Sequence, residues 1–253
     1  MERALTISNL TKSYGREPVL TRLALEVPAG TIFGLIGPNG AGKSTLIGIL
    51  TGILNYNEGQ IILNGLELNR ANEIKIKKDI SSVLQPPLLF ENFTSYEFIN
   101  YICKMYRETP DDLDEKINSL FKYFEIEDYR HVQTKQLSSG SRKKLAFCTA
   151  ILVNPKILFL DEPFESVDVI SIGRMKNVIR KLKERGTTIF ITSHILEVVE
   201  NLCDDIAILN KGEIVAYLDS KARRELQKDS SLSEIFERYV DMSTTSSALI
   251  DWI

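Results

Sequence analysis

A glycine-rich stretch near the start of the chain contains the residue types needed to hold phosphate groups. It fits the pattern G-x-x-x-x-G-K-[ST], with the residues Gly37, Pro38, Asn39, Gly40, Ala41, Gly42, Lys43, Ser44 and Thr45. Glycines let backbone N–H groups curl around an anion, and a helix that follows presents its positive N-terminus to it. Lys43 would reach the terminal phosphates, and the Ser44 hydroxyl would ligate Mg²⁺. The pattern therefore predicts a loop that binds ATP with Mg²⁺.

A second candidate lies where the apolar run 157–160 ends in Asp161 and Glu162, just before a proline. If this run is a buried strand, both carboxylates lie at the carboxyl edge of a sheet. Asp161 would then lie near the metal, and Glu162 would polarise the water that attacks the γ-phosphate. The alternative is a strand that leaves the core into a charged loop. The phosphate-binding pattern elsewhere in the chain favours the catalytic interpretation.

Two more polar residues follow predicted strands. His194 comes after the run at 188–191 and could hydrogen-bond a γ-phosphate oxygen or the attacking water. Gln85 follows the run at 80–84 and precedes two prolines, and its amide could contact metal or water. A lone histidine is more often structural, but the sheet edge that it would share with the other candidates favours a functional role.

The sequence LSSGS at 137–141 precedes a helical pattern. Small hydroxyl residues at such a position are ordinary helix N-caps. The functional alternative is a second anion site at the N-terminus of that helix.

The elements that position these residues are predicted from short apolar or β-rich runs. We expect strands at 4–8, 19–27, 31–36, 60–63, 80–84, 157–160, 188–191, 205–209 and 213–217. Helical patterns lie between several of the later runs, and this alternation is typical of a parallel α/β sheet. The sequence thus predicts an α/β core with a β-rich N-terminal part.

A helical insertion interrupts this pattern between residues 86 and 154. Three helices are expected there: one from about Thr94, one from Pro110 with acidic residues in its first turn, and one from near Ser138. After residue 220 comes a C-terminal extension, 221–253, whose apolar stripe runs from Leu232 to Val240. We expect this last helix to pack on its own domain, with partner binding as the alternative.

The composition excludes several classes of protein. The chain has 253 residues, 43% of them hydrophobic, and a net charge of -3, which argues against a nucleic-acid-binding surface. No apolar run approaches the roughly 20 residues that cross a bilayer, and no signal peptide is visible, so we expect a cytoplasmic protein. Cys103, Cys148 and Cys203 are expected to be buried and reduced.

Taken in order, these motifs resemble the ATP-binding cassette (ABC) family. The resemblance rests on the phosphate loop, Gln85, LSSGS, LFLDEP, residues 166–168 and His194, and it runs from Tyr14 to about Tyr217. It implies an α/β fold of the P-loop NTPase (RecA-like) type across residues 1–220, with a parallel sheet core, an N-terminal antiparallel β part and an inserted helical subdomain.

In that family two cassettes bind head to tail, and each ATP lies between one loop and the other subunit's LSGGQ-like helix start. The resemblance implies that Tyr14 stacks on adenine and that Asp168 belongs to the loop connecting the two sites. Ser138 and Gly140 would contact the γ-phosphate bound to the opposite subunit. Ser139 and Ser141 replace the usual Gly and Gln, and residues 165–168 are ESVD instead of SGLD or SALD. We therefore expect slower or weaker ATP-driven dimerisation.

The resemblance also implies an integral-membrane permease as a separate subunit, docked on the aromatic-rich segment 88–106, and a position on the cytoplasmic face of the membrane. The alternative is that most residues of this segment only fill the core of the helical insertion. The segment after Gln85 resembles cassettes of single-cassette bacterial exporters. A solute importer and a soluble assembly ATPase are the alternatives, followed by a nucleotide kinase or GTPase. Whether the second cassette is identical or different is left open.

Overall fold

The computed structural model describes residues 2–106, 112–226 and 231–240. The strands are β1 (Arg3–Tyr14), β2 (Glu17–Pro28), β3 (Ile32–Ile36), β4 (Glu58–Leu63), β5 (Leu66–Glu67), β6 (Ile80–Val83), β7 (Ile157–Asp161), β8 (Thr188–Thr192), β9 (Asp205–Asn210) and β10 (Glu213–Leu218). The helices are α1 (Lys43–Leu50), α2 (Glu73–Asp79), α3 (Ser95–Tyr106), α4 (Leu113–Phe124), α5 (Ser139–Leu152), α6 (Val169–Glu184), α7 (Leu196–Leu202), α8 (Ser220–Leu226) and α9 (Leu232–Tyr239).

The central sheet has six strands in the order β10-β9-β3-β8-β7-β6. All neighbouring pairs are parallel except β9 with β10. The predicted α/β fold with a largely parallel sheet is confirmed. Because β3, β6, β7 and β8 run the same way, the residues that follow them meet at one edge of the sheet.

The N-terminal part forms a separate antiparallel sheet in the order β2-β1-β4-β5. β1 and β2 are each 12 residues long and pair with one another through several register shifts. β1 is much longer than the predicted run at 4–8, whereas β2 extends the predicted run at 19–27 by only a few residues. The short β5 was not predicted; it has two residues, and both pair with β4.

Side chains of the central strands point alternately to the two faces of the sheet, and the core is divided accordingly into two hydrophobic clusters. In β3, Ile32 and Ile36 belong to the cluster shared with the helices, whereas Phe33 and Leu35 belong to the cluster shared with the N-terminal sheet and α1. Successive strand side chains point to opposite faces, so a strand buried on both faces is apolar throughout. This explains the continuous apolar runs in the sequence.

The helical insertion lies between β6 and β7 and consists of α3, α4 and α5. The buried face of α4 is Leu113, Ile117, Phe121 and Phe124, which is an apolar stripe with helical spacing. This face joins the same cluster as α5 and one side of the sheet. The predicted start of the second helix at Pro110 lies outside the described residues.

The C-terminal helix α9 begins with a capping box, in which Ser231 and Glu234 exchange side-chain and backbone hydrogen bonds. Leu232 and Ile235 are buried in the same cluster as α7, so α9 packs on its own chain as expected. The predicted tail beyond Val240 lies outside the described residues. In the part of the chain that the structure describes, no helix is long and apolar enough to cross a membrane.

The three cysteines are buried free thiols, as predicted. Burial raises the pKa of each thiol, to about 11 for Cys103, because the thiolate loses its hydration. Such thiols are inert, which agrees with a structural role.

Candidate nucleotide site

The glycine-rich loop connects β3 to α1, and its glycines are required by the backbone. Gly40 and Gly42 have φ angles of 79° and 110°, which residues with a side chain rarely adopt. A Cβ atom on Gly37 would lie 2.3 Å from the carbonyl oxygen of Leu209. The loop therefore keeps a tight curve that suits backbone N–H groups wrapped around an anion.

Lys43, at the start of α1, lies inside this loop. Its Nζ atom donates hydrogen bonds to the carbonyl oxygens of Gly37, at 2.7 Å, and Pro38, at 3.1 Å. Burial lowers the pKa of the Lys43 ammonium, while the nearby Glu162 and Asp161 carboxylates raise it. A largely desolvated cation inside a glycine loop is an electrostatic centre for phosphate.

The loop forms one wall of a cleft of about 600 Å³, within the size range of small-molecule sites. Lining it are the predicted residues Asn39, Gly40, Gly42, Lys43, Ser44, Thr45, Gln85, Glu162 and His194, together with Val19 and Glu165. Residues from the ends of β3, β6, β7 and β8 thus meet in one place. Gly37, Pro38 and Ala41 belong to the loop but do not line the cleft.

Glu162 and His194 are in direct contact across this cleft. The Glu162 Oε2 atom lies 2.9 Å from His194 Nδ1, and it also accepts a hydrogen bond from the His194 backbone N–H at 3.3 Å. Glu162 has a φ of 46°, an unfavourable backbone angle for a residue with a Cβ atom. The two contacts with His194 hold the Glu162 carboxylate beside the imidazole, at the carboxyl ends of β7 and β8.

Asp161 lies one residue earlier and is only 2% exposed. Its Oδ1 atom accepts a hydrogen bond from the Thr192 hydroxyl. Asp161 does not line the cleft, whereas Ser44 and Gln85 do. Carboxylate, hydroxyl and amide oxygens are the ligand types that Mg²⁺ prefers. Among the residues described, no group of three or more His, Cys, Asp or Glu forms a metal site by itself. The oxygen chemistry of the Asp161, Ser44 and Gln85 side chains fits Mg²⁺.

Tyr14 does not line the cleft. It is the last residue of β1 and is 49% exposed, and the Lys12 ammonium lies 4.8 Å from its ring centroid. Val19, in β2, lines the cleft instead. Sequence reasoning missed Val19 because a valine in an amphipathic strand gives no signal of ligand contact.

Ser138 and Gly140 also lie outside this cleft. Ser138 is the N-cap of α5, and its Oγ atom accepts the backbone N–H of Ser141, as expected of an ordinary helix cap. A Cβ atom on Gly140 would lie 2.7 Å from the Ser166 carbonyl oxygen. The start of α5 therefore packs against the loop that follows Glu162.

Asp168 caps the next helix. Its carboxylate accepts the backbone N–H of Ser171 at 2.8 Å and pairs with the Lys144 ammonium at 2.9 Å. The hydrogen bond from Lys144, and then that from Ser171, hold the pKa of Asp168 well below its usual value. Asp168 thus joins α6 to α5 in the same chain.

Sequence reasoning assigned no role to two polar residues beside the site. Lys143, in α5, is only 4% exposed and donates to the backbone carbonyl oxygens of Glu162, at 2.7 Å, and Glu165, at 2.9 Å. Burial lowers the pKa of Lys143, and the nearby carboxylates counteract this. Glu165 lines the cleft and accepts a hydrogen bond from Gln85. For Glu165, the only signal in the sequence was that it departs from the residue usual in the family. Lys143 gave no such signal, because it lies in a run of basic residues, which predicts an exposed helix face.

A strand, a glycine loop and a helix around a buried lysine, with two acidic residues at the end of another strand of the same sheet, define a nucleotide-hydrolysing protein of the P-loop class. The sequence model of the family described as ABC transporter matches residues 20–165. The chain belongs to this family, as its ATP-binding ATPase cassette.

Curated relatives and solved structures agree with this family assignment. The chain is 33% identical to the lantibiotic transport ATP-binding protein SrtF of Streptococcus pyogenes, over 93% of this chain and 97% of the relative. It is also 33% identical to the lipopolysaccharide export system ATP-binding protein LptB of Haemophilus influenzae, over 84% and 89% of the two chains.

One solved structure, described as an ATP-binding subunit of an ABC transporter, has a TM-score of 0.86 at 26% identity and covers 93% of this chain and 99% of that one. A post-hydrolysis dimer of the ATP-binding cassette MJ0796 bound to ADP and Pi has a TM-score of 0.78 at 24% identity, covering 85% and 98%, and supports the fold. The resemblance to the ABC family inferred from the motifs is confirmed.

Proposed function

We propose that this chain hydrolyses ATP to drive the export of a substrate through a separate integral-membrane permease. The observation that carries the proposal is the similarity to SrtF, a lantibiotic transport ATP-binding protein, which extends over nearly the full length of both chains. Similarity to LptB, from an export system, supports the same direction of transport. The chain would act at the cytoplasmic face of the membrane, with the permease docked on residues 88–106.

Within the cleft, the loop N–H groups and Lys43 would bind the phosphates of ATP. Ser44, Gln85 and Asp161 would hold Mg²⁺, which, when bound, neutralises charge on the phosphate oxygens. Tyr14 would stack on the adenine ring from the edge of β1. The cleft is lined by polar groups at its phosphate end and by the apolar Val19, which suits a ligand with a charged and an aromatic end.

Glu162 would act as the general base. Its carboxylate takes the proton of the water whose oxygen attacks the γ-phosphorus, while the bond from phosphorus to the β,γ-bridging oxygen breaks. The contact with His194 supports this role because it fixes the carboxylate in one orientation. His194 would also hydrogen-bond the γ-phosphate or the water.

The working unit would contain a second cassette, either identical or different. Ser138 and Gly140, which do not line this chain's own cleft, would contact the γ-phosphate held by the second subunit. Asp168 would lie in the loop that connects the two sites. We propose the domain boundaries 1–220 for the ATPase domain, with an inserted helical subdomain at 86–154, and 221–253 for the extension.

Purification of the tagged chain from its native membrane tests the assembly. We expect a multi-span permease and two cassettes in the complex, and recovery with non-membrane partners alone would contradict the proposal. Direction is tested with inverted membrane vesicles, where ATP added outside should drive substrate into the lumen. Vesicles carrying Lys43→Ala, which removes the phosphate-binding ammonium, are the matched control. ATP-driven release from preloaded inverted vesicles would indicate an importer.

A further inference from the structure

Gln85 and Glu165 are joined side chain to side chain at the edge of the cleft. The Gln85 Nε2 atom donates a hydrogen bond to Glu165 Oε2, and both residues line the cleft. Gln85 follows β6, and Glu165 lies in the loop between β7 and α6. The contact therefore links two segments that are 80 residues apart in the sequence.

The chemistry of this contact fixes which end of the amide faces which way. A primary amide has an NH₂ donor end and a carbonyl acceptor end, and the two have nearly the same shape. An ionised carboxylate only accepts hydrogen bonds, so the NH₂ end of Gln85 must face Glu165. The Gln85 carbonyl oxygen then points away from Glu165, and oxygen is the atom that Mg²⁺ accepts as a ligand.

The backbone of Glu165 is held in place by Lys143 of α5. Lys143 donates to the backbone carbonyl oxygens of Glu165 and Glu162, and its ammonium is buried under the loop. A buried ammonium must keep its hydrogen-bond partners, because an unpaired buried charge is costly. These hydrogen bonds attach the loop between the two carbonyl groups to α5. They also fix the position of the backbone that carries the Glu165 side chain.

We propose that Glu165 is a positioning residue that sets the orientation of the Gln85 amide, so that its oxygen is presented to the metal of the bound nucleotide. This inference rests on the proposed role of Gln85 as a metal ligand. The serine more usual at this position of the family can both donate and accept, so it would hold either end of the amide. Glu165, which departs from the family pattern, thus fixes the orientation of the Gln85 amide.

A double-mutant cycle on the full chain tests the proposal. Mn²⁺ would be titrated in the presence of the non-hydrolysable analogue AMP-PNP, and the free Mn²⁺ signal in electron paramagnetic resonance gives the dissociation constant. We expect Glu165→Gln to weaken Mn²⁺ binding about fivefold, the scale of one net hydrogen bond. The same substitution in a Gln85→Ala background should have almost no effect, because the residue through which Glu165 acts is gone.

The outcomes separate this inference from the proposed function. An equal loss in both backgrounds would show that Glu165 acts through its charge alone and would overturn the inference, as would no loss in either. If Gln85→Ala alone leaves Mn²⁺ affinity unchanged, the assignment of Gln85 as a ligand fails, and the inference fails with it. Glu165→Ser gives a second variant should Glu165→Gln not fold, as judged by its unfolding midpoint.

Discussion

The Thr192 hydroxyl donates a 2.5 Å hydrogen bond to the Asp161 carboxylate across two parallel strands. The two residues are in direct register, as the last pair of β7 with β8, and both are almost fully buried. The same hydroxyl accepts the backbone N–H of Glu162 at 3.2 Å. One side chain of β8 therefore sets the position of both acidic residues.

Thr192→Val should destabilise the protein by about 1–3 kcal/mol, the usual cost of leaving a buried polar group without its partner. Valine has the same shape as threonine, so packing is preserved. The free energy of unfolding from urea denaturation measures the effect. Thr192→Ser keeps the hydroxyl and is the control. If the valine variant is as stable as the serine variant, the hydrogen bond has no net role.

Glu162→Gln should keep ATP binding but lower kcat by about 10²–10⁴, the range of general acid–base catalysis. Glutamine retains an oxygen that can accept the His194 backbone N–H but cannot take a proton from water. Fluorescent nucleotide binding and phosphate release, measured on the assembled complex, separate the two effects. Near-normal hydrolysis would refute the assignment of Glu162 as the base.

Gly140→Ala should destabilise the chain by about 1–3 kcal/mol, the usual cost of overpacking. The added Cβ atom would lie 2.7 Å from the backbone oxygen of Ser166, which must shift. Gly173→Ala, in α6, is the matched control because nothing lies within 4 Å of its Cβ position. That variant should gain up to about 1 kcal/mol from helix propensity. Thermal unfolding of both variants tests whether only Gly140→Ala lowers the stability. A loss of stability in both variants would contradict the prediction.

Asp168→Asn should change how stability depends on pH. The folded-state pKa of Asp168 lies below the unfolded value of about 3.9, so its contribution is present above that pH and is lost as the pH falls. The side chain is half exposed, so we expect a difference from the native protein of no more than about 1 kcal/mol at pH 7. Urea denaturation at several pH values should show that difference shrinking towards pH 2. A difference that grows in acid would contradict the pKa direction.

Ser139→Gly combined with Ser141→Gln should strengthen ATP-dependent dimerisation and speed turnover, because it restores the sequence usual for the family. Ser139 is exposed, whereas Ser141 is buried and accepts a hydrogen bond from the Ser138 hydroxyl. Single variants therefore serve as controls for damage to the helix cap. Sedimentation in the Glu162→Gln background measures the dimer without hydrolysis. Unchanged affinity and turnover would show that the two serines are neutral.

Much of the fold was predictable because its signals are local. The apolar run at 157–160 became β7, with Asp161 as its last residue, and Ser138 caps α5 where a helix start was expected. Parallel strands buried on both faces give continuous apolar runs, which are easy to recognise. The lengths of β1 and β2 were underestimated, since pairing between them extends both strands through polar residues.

The polar residues gathered in the cleft were also predictable, because each follows a strand at the same sheet edge. Their mutual contacts were not. Glu162 with His194, Gln85 with Glu165, and Lys143 under the loop depend on side-chain packing across distant segments. The roles of the predicted site residues stay predictions until the variants are measured.

Lys143 has a mechanical consequence. Because its ammonium holds the carbonyl oxygens of residues 162 and 165, the first turn of α5 cannot tilt without carrying that loop along. A displacement of α5 would therefore also move the Glu162 backbone.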